Sequence, residues 1–317
     1  MKLTDRIKNI NRIVISRTDR IGDVILTLPL AAKAKEIFPN AKIYFLCNEY
    51  VKDIVSLSAD VDEILIFNNN LSELKSVFKN IKPDLIINSF PDFKIALAGI
   101  LSGIKFRIGT AYRWYSFLFN LKVKEHRKEC KHHEYEYNIN LLKNFFPELN
   151  YNFNYKLKRN LFTNLDYLNL PEKYFILHPT SGGSSVDVSP EILKIFLSKY
   201  NGQEKIIITG SENDETFNSN LLSGINNEKI INLTGKLNLN GLVSLISGCE
   251  LMIANSTGPL HIAGMLNKPV IGFYPEEIPM NEKRWGPLSD EKYILRPQKI
   301  TEIEILNTLN LYKSKKQ

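Results

Sequence analysis

Three segments bring acidic, hydroxyl and glycine residues to places where a strand hands over to a helix. The first, Arg17-Thr18-Asp19-Arg20-Ile21-Gly22-Asp23-Val24, offers the carboxylate of Asp23 near a helix start. A carboxylate there can cap the helix, stabilise its positive end, or take a proton as a general base. Gly22 beside it permits a tight turn or the close approach of a ligand. The second is His178-Pro179-Thr180-Ser181-Gly182-Gly183-Ser184-Ser185, leading to Ser189-Pro190 at another helix start. Backbone N–H groups in such a loop, together with the helix dipole, favour a phosphate, although a plain surface loop can have the same composition. The third, Ala254-Asn255-Ser256-Thr257-Gly258-Pro259-Leu260-His261, repeats the arrangement. Ser256 or Thr257 can cap that helix while its N–H groups stay exposed, and His261 on the first turn reads as a packed or capping side chain as readily as a catalytic one.

The elements that must position these residues alternate along the chain. Strands are predicted over residues 12–16, 42–46, 63–67 and 84–88, with helix-length segments between them. The pattern over 23–38 keeps helical spacing until Pro39-Asn40 stops it. After a polar, aromatic bridge over 150–169 a second series begins: strand 174–178, helix 190–200, strand 205–209, a short strand over 230–232, helix 240–247, strand 251–254, helix 258–266 and strand 270–273. Alternation of this kind gives parallel sheets with right-handed crossovers. The expected fold class is α/β, with two Rossmann-like parallel-sheet halves facing across a central cleft and ligands at the carboxyl ends of the strands. Residues 301–312 carry Ile303, Ile305, Leu306, Leu309 and Leu311 and form a closing amphipathic helix.

A chain of 317 residues exceeds one ordinary core, and 44% hydrophobic with 24% charged residues excludes disordered, collagen-like and disulfide-stapled classes. No apolar run reaches the roughly 18 residues of a membrane span. The charged start, Met1-Lys2-Leu3-Thr4-Asp5-Arg6, lacks the apolar stretch of a secretory leader, which places the protein in the cytoplasm. Cys47, Cys130 and Cys249 are odd in number and far apart, so they read as free thiols. Neither the GxGxxG nor the GK[ST] signature occurs, which argues against dehydrogenase and ATPase readings. A net charge of +7 points to an anionic partner: nucleic acid, an acidic lipid surface or a phosphorylated small molecule.

Taken in order, Ile21-Gly22-Asp23-Val24, His178-Pro179, Leu233-Thr234-Gly235-Lys236 and Asn255-Ser256-Thr257-Gly258-Pro259-Leu260-His261 resemble glycosyltransferase family 9 over nearly the full chain. These are the ADP-heptose-dependent heptosyltransferases of lipopolysaccharide inner-core assembly, with a GT-B fold. The resemblance implies inverting, metal-independent transfer of a heptose or related sugar from a nucleotide-diphosphate donor, with Asp23 as the base and no cofactor. It implies donor contacts from Thr180, Ser181, Gly182, Gly183, Ser256, Thr257, Gly258 and His261, and acceptor or phosphate contacts from Arg17 and Gly22. It further implies an acceptor-binding domain over 1–160, a nucleotide-sugar domain over 161–300, and a helix and tail over 301–317 packing back on the first domain. Where the family has a cation before the second helix, this chain has Val186-Asp187-Val188, and where the family has Asp, it has Ser256. Arg284 is a candidate replacement cation. The departures leave open a different nucleotide-sugar donor or a catalytically silent GT-B binding module.

Residues 105–133 form a basic, aromatic belt: Lys105, Arg107, Arg113, Lys122, Lys124, Arg127, Lys128 and Lys131, interleaved with Phe106, Tyr112, Trp114, Tyr115, Phe117 and Phe119. Such a belt suits an anionic lipopolysaccharide or glycolipid acceptor, with Arg107 and Arg113 as contacts and peripheral attachment to the inner face of the cytoplasmic membrane. Stacking on nucleic acid would use the same residue types, and the family acceptors decide against it. Asp60-Val61-Asp62 spells a metal motif of another glycosyltransferase fold but precedes a first-half strand, and His132-His133 lacks a third ligand, so no metal is expected.

Overall fold

The computed structural model describes residues 10–316; the charged start read above lies, up to Asn9, outside the described residues. The chain divides into two units with the boundary between Leu161 and Phe162.

The first unit is built on β1 (Arg12–Ser16), β2 (Lys42–Cys47), β3 (Glu63–Ile66), β4 (Leu85–Asn88), β5 (Phe106–Thr110) and β6 (Leu121–Val123), all parallel in the order β3-β2-β1-β4-β5-β6. Ile13, Val14 and Ile15 are fully buried, the continuous apolar run of a strand covered on both faces. The connecting helices are α1 (Ile21–Ile25), α2 (Leu28–Ile37), α3 (Lys52–Ser56), α4 (Leu71–Ile81), α5 (Phe93–Leu101) and α6 (Glu134–Lys143). The strand order reverses between β1 and β4, so the crevice of this sheet opens beyond Ser16 and Asn88, which are paired in register.

The helix expected over 23–38 is two helices. Pro29 sits in the first turn of α2, and a proline ring clashes with the carbonyl four residues earlier, here Ile25, where α1 ends. Thr27 fills the break by donating from Oγ1 to the Asp23 carbonyl at 2.8 Å. Gly22 lies inside α1, so the tight turn expected there does not form. The belt also contains structure that its composition hides: β5 and β6 run through it, and Phe106, Tyr115 and Phe119 are buried.

The second unit repeats the architecture with β7 (Tyr174–His178), β8 (Lys205–Ile208), β9 (Ile230–Asn232), β10 (Leu251–Asn255), β11 (Val270–Phe273) and β12 (Lys292–Leu295), in the order β12-β11-β10-β7-β8-β9. All pairs are parallel, and the reversal falls between β7 and β10. Its helices are α7 (Pro190–Lys199), α8 (Glu215–Leu222), α9 (Leu239–Gly248), α10 (Gly258–Met265), α11 (Glu282–Trp285) and α12 (Glu302–Ser314). A capping box starts α12, with Glu304 N–H donating to Thr301 Oγ1 at 3.4 Å and Thr301 N–H to Glu304 Oε2 at 2.8 Å. The buried face of α12, Ile305, Leu309 and Tyr312, belongs to the second unit's core beside α7, and Tyr312 donates to the Glu250 carbonyl at 2.9 Å.

Candidate functional site

Arg17 follows β1 directly and is buried among three carboxylates. Its Nε donates to Asp19 Oδ1 at 2.7 Å, one terminal nitrogen to Glu134 Oε1 at 3.1 Å and the other to Asp23 Oδ1. Glu134, the first residue of α6, is fully buried and also receives Arg127. The second terminal nitrogen of Arg127 donates to Asn138 Oδ1 at 3.1 Å, and Asn138 Nδ2 donates to the Leu26 carbonyl at 2.9 Å. One network therefore joins α6 to the end of α1 and fixes the helix that carries Asp23. Burial alone would lower the Arg17 pKa, but the charges of Asp23, Asp19 and Glu134 hold it above its ordinary value. Burial pushes the Asp19 carboxyl up to about 6, because Arg17 is shared and Asp23 adds a like charge. Asp23 itself is bound to Arg17 instead of capping α1, and its side chain keeps 17% of its surface open to solvent.

A cavity of about 510 Å³ opens at the carboxyl ends of β4, β5 and β6, where Asn88, Ser89, Thr110 and Val123 form its floor. Arg113, His126, Arg127 and Lys128 make its wall basic, relieved by Glu125, and Tyr112 stacks on His126 with ring centroids 3.6 Å apart. Arg127 thus belongs both to this cavity and to the chain of ion pairs that ends at Asp23. Of the two arginines expected to contact the acceptor, Arg113 lines the cavity and Arg107 does not. The Arg107 guanidinium donates to the carbonyls of Leu118 at 2.8 Å and Ile104 at 2.5 Å, so it holds the β5–β6 connection in place. The Asp60-Val61-Asp62 carboxylates are also engaged elsewhere: Asp62 Oδ2 receives Lys35 Nζ and Ile43 N–H, both at 2.6 Å.

In the second unit the double glycine forms a tight turn. Gly182 and Gly183 have φ of +57° and +77°, and Ser184 N–H donates to the Ser181 carbonyl at 3.1 Å. Two successive left-handed residues are a demand that glycine meets without a Cβ penalty. Buried Asn255, at the end of β10, ties this loop down: Nδ2 donates to the Pro179 carbonyl at 2.5 Å, and Oδ1 accepts from Val188 N–H at 3.2 Å. Ser184 Oγ donates to the Ser256 carbonyl at 2.9 Å. The loops after β7 and β10 are thereby locked together at the sheet's reversal point.

They frame a cavity of about 290 Å³. Thr180, Ser181, Gly182 and Thr257, for which donor contacts were expected, line it together with Leu233 and Pro259 of the family segments and with residues that sequence reasoning missed: Thr209, Ser211, Asp214, Asn238 and the apolar Leu237, Leu239 and Leu242. The signal that could have found several of them is Thr209-Gly210-Ser211 directly after β8, the same strand-to-turn grammar as the other loops. Thr180 Oγ1 donates to Asp214 Oδ1 at 2.8 Å. Burial would raise the Asp214 pKa, but bonds from Ser211 and Thr180 hold it below the usual carboxylate value. His178 is driven down to about 4 by burial and is neutral, with Nδ1 3.0 Å from Thr209 Oγ1.

The remaining expected donor residues are not part of the lining. Gly183 is the other half of the turn, Gly258 opens α10, and Thr257 occupies its cap position without a side-chain cap bond. Ser256 N–H donates to the Phe273 carbonyl at 3.1 Å. His261 is buried and pushed down to about 4, the packed reading of that residue. Asp187 is exposed outside the cavity lining while Val188 enters the core, so the acidic residue that departs from the family pattern does not face this cavity. Arg284 lies over the Trp285 ring at 4.5 Å and is not part of the lining.

Two parallel six-stranded units of identical strand order, each with a cavity at the carboxyl ends of its strands, have the GT-B fold. Residues 73–313 match the model of glycosyltransferase family 9 (heptosyltransferase), and the chain belongs to that family. It is 25% identical over 306 residues to a Haemophilus influenzae protein named "Putative glycosyltransferase", covering 89% of this chain and 88% of that one. It is 22% identical to lipopolysaccharide heptosyltransferase 3 of Escherichia coli over 80% of each chain. Among solved structures, that of E. coli ADP-heptose lps heptosyltransferase II superposes with a TM-score of 0.83 at 19% identity, covering 97% of this chain and 99% of that one. The E. coli heptosyltransferase WaaC with ADP gives a TM-score of 0.72 at 18% identity, covering 95% and 99%.

Proposed function

We propose that this glycosyltransferase moves a heptose or closely related sugar from a nucleotide diphosphate, with ADP-heptose the leading donor, to an anionic lipid-linked glycan, with inversion at the anomeric carbon. The observation that carries the reading is the Asp23 carboxylate, oriented by buried Arg17 and still partly open to solvent. In the proposed step the acceptor hydroxyl gives its proton to Asp23 as its oxygen attacks the anomeric carbon. The bond from that carbon to the diphosphate oxygen breaks on the opposite face, and the electron pair leaves with the nucleoside diphosphate. A single displacement needs one base, and Arg17 fixes the direction in which its lone pairs point.

The second-unit cavity suits the donor nucleotide. Leu233, Leu237, Leu239 and Leu242 offer an apolar wall for the base, while Asp214 and Asn238 can bond ribose hydroxyls. The turn at Gly182 and the start of α10 offer the diphosphate backbone donors and a helix dipole. The basic cavity of the first unit suits phosphorylated or acidic groups of the acceptor. Support for the donor comes from WaaC, whose structures were obtained with ADP and with ADP-2-deoxy-2-fluoro heptose. Among the described residues no helix is long and apolar enough to cross a membrane; a lipid-linked acceptor would be met at the inner face of the cytoplasmic membrane.

Thermal stabilisation by ADP, GDP, UDP and CDP at matched concentration tests the donor half of the reading. A selective ADP shift, followed by ADP release when ADP-heptose and a heptose-deficient lipopolysaccharide acceptor are supplied together, is expected. A selective shift with another nucleotide would replace the donor, and release without glycosylated product would remove the transfer reading.

A further inference from the structure

Outside both cavities, one face of the first unit is apolar and exposed, and the sequence that forms it is rich in cations. Trp114 and Phe117 are 74% and 67% exposed, and Phe93 lies against Trp114 with ring centroids 4.9 Å apart. On α5, Phe93, Leu97, Ile100 and Leu101 fall at i, i+4, i+7 and i+8, one helical face; three of them are exposed and Leu97 is half-buried. Soluble proteins rarely leave so contiguous an aromatic and aliphatic patch uncovered without a partner for it.

The charge around the patch selects that partner. From Phe93 to Lys124 the sequence holds Lys94, Lys105, Arg107, Arg113, Lys122 and Lys124 and not one Asp or Glu. The β5–β6 connection runs back along α5, from Thr110 at the cavity to Asn120, whose Nδ2 donates to the Lys105 carbonyl at 2.8 Å and whose Oδ1 accepts from Arg107 N–H at 2.8 Å. Trp114 and Phe117 are therefore carried on a braced loop beside a helix. They are set between cations at one end and Tyr112 and Arg113 of the basic cavity at the other. Tryptophan favours the boundary between headgroups and acyl chains, and nearby Lys and Arg favour anionic lipid.

We propose that this face, with Trp114 and Phe117 as the inserted side chains, docks the protein on an anionic phospholipid bilayer. The geometry delivers the first-unit cavity to the membrane surface, where an acceptor can enter it without leaving its lipid. The inference rests on the lipid-linked acceptor reading above and deepens it by naming the surface.

The test uses the full chain with vesicles of phosphatidylglycerol and phosphatidylcholine, read by co-sedimentation. In a Trp285→Phe background, Trp114 emission should shift to the blue and be quenched by lipids brominated on the acyl chain. Neutral phosphatidylcholine vesicles should bind at least tenfold more weakly, and so should Trp114→Ala/Phe117→Ala on anionic vesicles; both side chains are exposed, so folding should survive. Sedimentation unchanged by that double variant, or absent for the wild-type chain, overturns the proposal. Concentration-dependent dimerisation abolished by the double variant would assign the face to a second copy, and tighter binding to single-stranded RNA than to vesicles would assign it to nucleic acid; either result overturns it. Vesicle binding without sugar transfer by the wild-type protein would leave this surface standing and remove the proposed reaction, whereas transfer without vesicle binding would do the reverse.

Discussion

Arg17 reaches six residues along the chain to donate a hydrogen bond to Oδ1 of Asp23, so the proposed base is oriented by a buried cation from the preceding strand end. The same guanidinium holds Asp19 and Glu134, which leaves Asp23 only a share of its charge.

Replacing Asp23 by Asn should keep the shape and remove the proton acceptor. Turnover should fall by about 10² to 10⁴-fold, with ADP stabilisation unchanged. Steady-state kinetics beside a thermal shift with ADP makes the comparison, and near-native turnover would dismiss Asp23 as the base.

Arg17→Ala strips a buried cation from carboxylates that remain. Breaking a buried ion pair by deleting one partner costs on the order of 3 kcal/mol, and Arg127 can still serve Glu134, so a loss of about 2 to 3 kcal/mol is expected in urea unfolding. Turnover should fall as well, because Asp23 loses its orientation. A stable variant of native activity would show that the network is dispensable.

The two units should respond to acid with opposite signs. The Asp19 carboxyl titrates near 6 in the folded chain, above its ordinary 3.8, so the folded first unit binds more protons than the unfolded chain between those values. Its contribution is therefore most favourable at low pH and is lost as pH rises through 6, by up to about 3 kcal/mol; Asp19→Asn should remove that slope. In the second unit His178 and His261 titrate near 4, below the ordinary 6.5. There the unfolded chain binds more protons, so stability present above pH 6.5 is lost as pH falls toward 4, by about 2 kcal/mol for each histidine at pH 5. Unfolding followed from pH 4 to 8 in the wild type, Asp19→Asn and His261→Leu should separate these slopes, and parallel curves would refute both assignments.

Asn255→Ala should loosen the donor loop. It leaves the Pro179 carbonyl and Val188 N–H without their buried partner, at a cost of about 2 kcal/mol, and should raise KM for the donor more than it lowers kcat. Gly182→Ala meets no neighbouring atoms but must hold φ at +57°, at about 1 kcal/mol, and should weaken ADP binding through the turn alone. Unchanged ADP affinity in both variants would exclude this loop from the donor site.

Much of this protein is written locally. Apolar runs set β1, β2, β4 and β7, because a buried parallel strand needs a continuous apolar stretch. Gly182-Gly183 marked a loop, and the carboxylate near the start of α1 was visible in the order of residues. Periodicity also gave the terminal helix, but its apolar face carries no address, and only packing assigned Ile305, Leu309 and Tyr312 to the second unit.

What the sequence by itself determined is period, propensity and the residues that stand at strand ends, since these depend on neighbours a few positions away. Tertiary structure alone decided which charges meet and which aromatics are covered. Arg17 and Glu134 are 117 positions apart and become partners only because α6 packs beside the end of α1. Adjacent Trp114 and Tyr115 have opposite fates, one exposed and the other in the core, and Arg107 is spent on carbonyls while Arg113 faces a cavity. The physical reason is that desolvation and ion pairing depend on distance in space, and only the folded chain sets that distance for residues far apart in sequence.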